Sequence, residues 1–195
     1  MLKPPRLLII PGLHDSGPAH WQTWLERHVP GARRVRQRDF STPDLERWSE
    51  RISSTVASDD PEQIWIAVAH SFGSLALAHH LASVPDSGIR AALMVAPADP
   101  DRFGLGESLP RERLPRPLTL VFSQNDPWMT AATARRWAQR WGAHTIDLGR
   151  AGHINTEAGF GPFPLAQRWV DQARARWSRE TSTAAAEFSS WQFAW

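Results

Sequence analysis

Apolar residues along the chain come in short, nearly continuous runs, most of them followed by a stretch in which they recur every three or four positions. Residues 6–10, 63–69, 89–96 and 117–123 are runs of the first kind, and 143–148 is a weaker one. Continuous apolar runs of this length suit strands buried on both faces. Residues 33–37 form a fainter strand candidate. Between the runs, Trp21, Trp24, Leu25 and His28 share one helical face, as do Leu45, Trp48, Ile52 and Val56. The pattern predicts helices over 18–29, from Thr42-Pro43-Asp44-Leu45 to the stop at Asp59-Asp60-Pro61, and over 72–84, 130–141 and 163–177. Alternation of strand and helix predicts an α/β fold: about six mainly parallel strands with helices on both faces. Residues 98–116, rich in Pro, Gly and charge, interrupt the alternation and suit a short helix or a border to a pocket.

Composition changes this picture little. A chain of 195 residues fits one domain, with 42% hydrophobic and 22% charged residues. We expect that domain over residues 1–177. Residues 178–195 form a compositionally distinct tail with Phe188, Trp191, Phe193 and Trp195, either disordered or docked on this or another subunit. The pI of 10.2 reflects the absence of Cys and Tyr; the net charge is only +2 and both signs are interspersed. No dense basic run points to nucleic acid, and no apolar run is long enough for a membrane span or signal segment. The expectation is a cytoplasmic protein that acts on a small molecule, with neither nucleic acid nor membrane as a partner. The tail offers a route to a homo-oligomer. Zero Cys excludes disulfides, thiolate metal sites and a cysteine nucleophile, and no His/Asp/Glu set has metal-ligand spacing. No metal and no cofactor is expected.

In a parallel sheet of this kind, ligands sit beyond the carboxyl ends of the strands. Reading those ends in order gives Gly12-Leu13-His14, then Ser71, then Ser123-Gln124-Asn125-Asp126-Pro127, then Gly149-Arg150-Ala151-Gly152-His153. Ala69-His70-Ser71-Phe72-Gly73 approximates the G-x-S-x-G turn that lifts a nucleophilic serine between a strand and a helix. Small residues flank such a serine because the helix passes close to the strand. Alone, the pentapeptide is also compatible with an ordinary turn serine. Serine, acid and histidine at three strand ends, in the order Ser…Asp…His, argue more strongly, because that is the chain order of the α/β-hydrolase fold.

A serine hydroxyl needs a base, and His153 is the candidate. Asp126 is the candidate partner for the imidazole, with Asp99 and Asp101 as competing acids and a turn role before Pro127 as its plainer reading. The backbone N–H groups of Leu13 and Phe72 are candidates for an oxyanion hole. His14 and Trp128 are candidate substrate contacts, and Trp21 is a weaker one. His70 reads as a local structural residue beside the serine, and His79 and His80 as structural helix residues.

Ile10-Pro11-Gly12-Leu13-His14-Asp15-Ser16 with His20-Trp21-Gln22-Thr23-Trp24-Leu25, Val68-Ala69-His70-Ser71-Phe72-Gly73-Ser74, Ser123-Gln124-Asn125-Asp126-Pro127 and Gly152-His153-Ile154-Asn155 together resemble a known group. This is the small α/β-hydrolases related to retinoblastoma-binding protein 9 and the bacterial YdeN proteins. The resemblance covers the chain up to about Trp177. It implies a compact sheet without the usual early antiparallel strands, no large lid, and serine hydrolase activity with Ser71, Asp126 and His153 as the triad. Ala69 stands where the group usually has glycine. The resemblance supplies no substrate, and a pocket-protein-binding L-x-C-x-E motif is impossible without Cys. The leading expectation is hydrolysis of carboxylic esters or amides through an acyl-enzyme. The alternative is a non-catalytic binding or scaffold protein on the same fold, and haloperoxidase or lyase chemistry on the same residues is a third reading.

Overall fold

In the computed structural model, residues 4–192 are described, with side chains described for 4–181. Six strands form one parallel sheet: β1 (Arg6–Ile10), β2 (Arg33–Arg34), β3 (Trp65–Ser71), β4 (Ile89–Pro97), β5 (Leu118–Phe122) and β6 (His144–Asp147). Their spatial order is β2-β1-β3-β4-β5-β6. The chain starts in β1, adds β2 on one side and then grows the other way from β3. The reversal lies between β1 and β3, where an open α/β sheet leaves a crevice beyond its strand ends.

Five helices cover the sheet: α1 (Trp21–His28), α2 (Leu45–Ala57), α3 (Phe72–Ser83), α4 (Ala131–Trp141) and α5 (Pro164–Gln192). Strand alternation decides which helix each side chain meets. Leu8 and Ile10 of β1 share a core with Trp48 and Ile52 of α2, Leu75 of α3 and Trp137 of α4. Leu7 and Ile9 point to the other face, with Trp21 and Leu25 of α1 and Ala166 and Val170 of α5. Burying each such side chain contributes about 1.5–3 kcal/mol, and both faces of β1 are covered, as its unbroken apolar run requires.

Three boundaries differ from the sequence expectation. Helix α1 begins at Trp21, because His20 serves as its cap: the Nδ1 atom accepts from the Gln22 N–H at 3.1 Å. Pro18 therefore lies in the preceding turn. Strand β2 shrinks to two residues, Arg33 and Arg34. Helix α5 continues past Trp177 to Gln192, since no Pro or Gly interrupts the segment and Arg176 pairs with Glu180 one turn on, at 2.8 Å. The tail aromatics Phe188, Trp191, Phe193 and Trp195, with the docking role expected of them, lie outside the described side chains. The 98–116 segment holds a 3₁₀ turn over Pro100–Phe103, and Phe103 packs edge-on against Phe72. Among the described residues, no helix is long and apolar enough to cross a membrane.

Candidate active site

The site grows from the junction of β3 and α3. Ser71 closes the strand and caps the helix with φ 52° and ψ −126°, a left-handed backbone that costs a non-glycine residue about 1–3 kcal/mol. Two glycines hold it there. A Cβ on Gly73 would lie 2.2 Å from the Pro11 carbonyl oxygen and 2.8 Å from that of Ile10, so α3 passes directly over the end of β1. A Cβ on Gly12 would lie 2.8 Å from Ser71 Cβ. The first loop is thereby pressed against the serine, and Leu13 follows immediately. Ala69, in the place of a glycine, is fully buried between Ile10 and Met94 of the flanking strands.

Three residues from three loops meet at this rim. Ser71 Oγ lies 3.0 Å from His153 Nε2. His153 Nδ1 lies 2.9 and 3.0 Å from the two carboxylate oxygens of Asp126. The carboxylate can only accept, so Nδ1 carries the proton and Nε2 is left to accept from the serine hydroxyl. Both the imidazole and the carboxylate are nearly covered, with 9% and 3% of their side chains exposed. Of the competing acids, Asp99 is engaged elsewhere, accepting from the Asp101 N–H, and Asp101 is exposed. The helix N-terminus beside the serine carries no side-chain cap, which leaves the Phe72 end of α3 unblocked. His14 is exposed on its loop, its N–H donating to the Phe40 carbonyl at 2.9 Å. Trp128 is 43% exposed, with its ring 6.1 Å from that of His153 and the Arg102 guanidinium stacked over it at 5.3 Å. Trp21, by contrast, is fully buried below the site.

Apart from Trp21, expected as a substrate contact, the polar residues beneath the rim were not singled out from sequence as site residues. Ser123 Oγ accepts from the Ala151 N–H at 3.1 Å and Asn125 Oδ1 from the Gly152 N–H at 2.9 Å, so the acid loop and the histidine loop are stitched together. Trp21 Nε1 donates to the Ile154 carbonyl at 2.8 Å, and His70 Nε2 donates to the His153 carbonyl at 3.0 Å. Two consecutive carbonyls of the histidine loop are thus gripped from below, and Ile154 adopts a left-handed φ of 49°. His70 is therefore a long-range tie rather than a local one. On the other side, Gln22 reaches the carbonyls of Ile10 and Val68 at 3.1 and 3.2 Å and accepts from Ser16 Oγ at 2.6 Å. Arg34 pairs with Asp15 and Glu26 and donates to the Ser16 carbonyl, fixing the loop that carries Leu13.

The electrostatics keep the surrounding imidazoles neutral. Burial pushes His20 down to about 4, helped by Arg34 and His153. His70 is pushed well below its usual value, first by burial and then by the neighbouring His153 and His20 rings. A proton arriving at the rim is therefore not drawn off to the two rings packed below. Among the described residues, no group of three His, Asp or Glu side chains is arranged to hold a metal.

Comparison with known proteins follows the same lines. The sequence model of the serine hydrolase family matches residues 7–172. A YdeN-like hydrolase from Pectobacterium atrosepticum is 38% identical, covering 86% of this chain and 90% of its own, with a TM-score of 0.80. The ydeN gene product of B. subtilis is 19% identical over 86% of this chain and 97% of its own, with a TM-score of 0.70. Est1E from Butyrivibrio proteoclasticus, solved with ferulic acid bound, is 13% identical over 90% of each chain, with a TM-score of 0.67. The last two likenesses bear on the fold alone. No curated protein matches the sequence significantly.

Proposed function

The chain belongs to the serine hydrolase family, and from that premise we propose that it cleaves carboxylic ester bonds, or amides, of small substrates through an acyl-enzyme on Ser71. The observation that carries this reading is the unbroken relay from Ser71 Oγ through His153 to Asp126, at 3.0 and 2.9 Å. His153 Nε2 takes the hydroxyl proton as Ser71 Oγ attacks the carbonyl carbon. Asp126 holds the Nδ1 proton and offsets the imidazolium charge. The tetrahedral oxyanion is met by the N–H groups of Phe72, at the uncapped start of α3, and Leu13, each such donor contributing about 3 kcal/mol to the transition state. Collapse returns the proton from His153 to the departing alcohol or amine. Water then attacks the acyl group, His153 again serving as base, and the carboxylic acid leaves.

The small-substrate part rests on the exposed flank of the site. Trp128 is 43% exposed beside His153, and His14 is exposed on the loop after β1. A fluorophosphonate probe should label the protein at Ser71, and p-nitrophenyl esters of short acids should be turned over. Ser71→Ala should abolish the labelling and lower turnover by several orders of magnitude. Undiminished hydrolysis by folded Ser71→Ala refutes the assignment. Folded parent protein that takes no label and cleaves no ester leaves the binding or scaffold reading.

A further inference from the structure

A cavity of about 710 Å³ lies on the α5 face of the sheet, at the amino ends of the strands. Strand β4 runs the length of the sheet between it and the catalytic rim, which puts the two about 20 Å apart. The volume falls within the range of small-molecule sites. Pro5, Ile66, Leu118 and Trp169 give it an apolar wall, and Trp169 is fixed by donating to Thr119 Oγ1 at 3.0 Å.

Set into this wall are two guanidinium groups and an indole. Arg90 Nε, Arg116 Nε and Trp177 Nε1 are all buried and without a hydrogen-bond partner, and all three residues line the cavity. What sets Arg90 apart is its head group, which makes no hydrogen bond to any described residue, whereas Arg116 donates to the Pro85 carbonyl. Arg90 reaches the cavity through a break in the sheet. Trp65 pairs with Ile89 and Ile66 with Ala91, so Arg90 is the extra residue of a bulge. Bulges of this kind re-aim a side chain, and here the guanidinium comes to lie over the Trp177 ring at 5.8 Å.

Charge narrows the ligand. Arg176 is already paired with Glu180 at 2.8 Å, and Arg116 has Asp86 at 3.7 Å. Among the described residues Arg90 has no carboxylate within ion-pair distance. One positive charge is therefore uncompensated, beside two indole rings and an aliphatic wall. We propose that this basal cavity is a binding site for a monocarboxylate with an aromatic or alkyl body, separate from the catalytic rim. The carboxylate sits between Arg90 and Arg116, each oxygen accepting from a guanidinium, and the body lies against Trp169 and Trp177.

The test is calorimetric titration of the full chain with 4-phenylbutyrate, with 4-phenylbutan-1-ol as the uncharged counterpart. The acid should bind one to one and the alcohol far more weakly. Arg90→Gln should weaken the acid about tenfold or more, the loss expected for a hydrogen bond to a charged group. Ala173→Phe, which fills the cavity from α5, should do the same from a different element, so a folding defect in one variant does not decide the outcome. Equal affinity of acid and alcohol overturns the proposal, as does no saturable binding at millimolar concentration. Binding that survives both substitutions, including binding of the acid at Ser71 instead, also overturns it.

Discussion

Asp126 does two things with one carboxylate: it accepts the Nδ1 proton of His153, and its Oδ1 atom also accepts from the Trp128 N–H at 2.9 Å. Asp126→Asn keeps the size and the turn but presents an amide that cannot offset an imidazolium. We expect kcat on a p-nitrophenyl ester to fall about 10³–10⁴-fold, with the melting temperature little changed. Activity within about tenfold of the parent would mean that the carboxylate contributes only to the turn. That Ser71, Asp126 and His153 would meet at one rim was legible in the sequence because each is the chemically suitable type at a strand end. The ties beneath them were not. His70 and His153 are 83 positions apart, and Trp21 and Ile154 are 133 apart, and nothing in either side chain's neighbourhood along the chain names its partner. Gln22 sits in a helix whose apolar face gave no sign that its amide would bridge two strand ends.

At the scale of elements, α1 is more than a cover for the sheet. Its first residue, Trp21, is buried and spends its only polar hydrogen on the histidine loop. Trp21→Phe retains most of the packing and removes the donor. The orphaned Ile154 carbonyl should cost about 1–3 kcal/mol, read as a drop of several degrees in melting temperature. If the tie also positions the imidazole, kcat falls and KM is unchanged; a loss of stability with kcat intact assigns Trp21 to the fold alone. Element boundaries were the least legible part of the sequence. His20 caps α1 through its ring, which no apolar periodicity reveals, and α5 runs on because no Pro or Gly follows Trp177 and the Arg176–Glu180 pair spans the expected stop.

For the molecule as a whole, the parallel sheet and the two-sided core followed from the rhythm of the chain, whereas its response to acid comes from burial. His20 and His80 are held down to about 4 against an ordinary 6.5, in both cases chiefly by burial, and His70 is held well below it. Between pH 6.5 and about 4 the unfolded chain takes up protons at these rings and the folded chain refuses them. Stability must therefore fall as pH falls through that window, and be fully present above it. Urea midpoints at pH 7 and pH 5 should differ in that sense, and a His80→Gln variant should lessen the difference. An equal midpoint at the two pH values would contradict the burial of these rings.

The grip on the His153 and Ile154 carbonyls has one more effect. Strand β6, which delivers that loop, is a four-residue edge strand with mostly exposed side chains, the sort of segment that frays first. The imidazole is moored instead to the middle of the sheet, through His70 on β3, and to Trp21 on the covering helix. Edge fraying should then leave turnover untouched: amides of β6 exchange with solvent quickly while the protein keeps working, and activity vanishes in denaturant only when the centre of the sheet gives way.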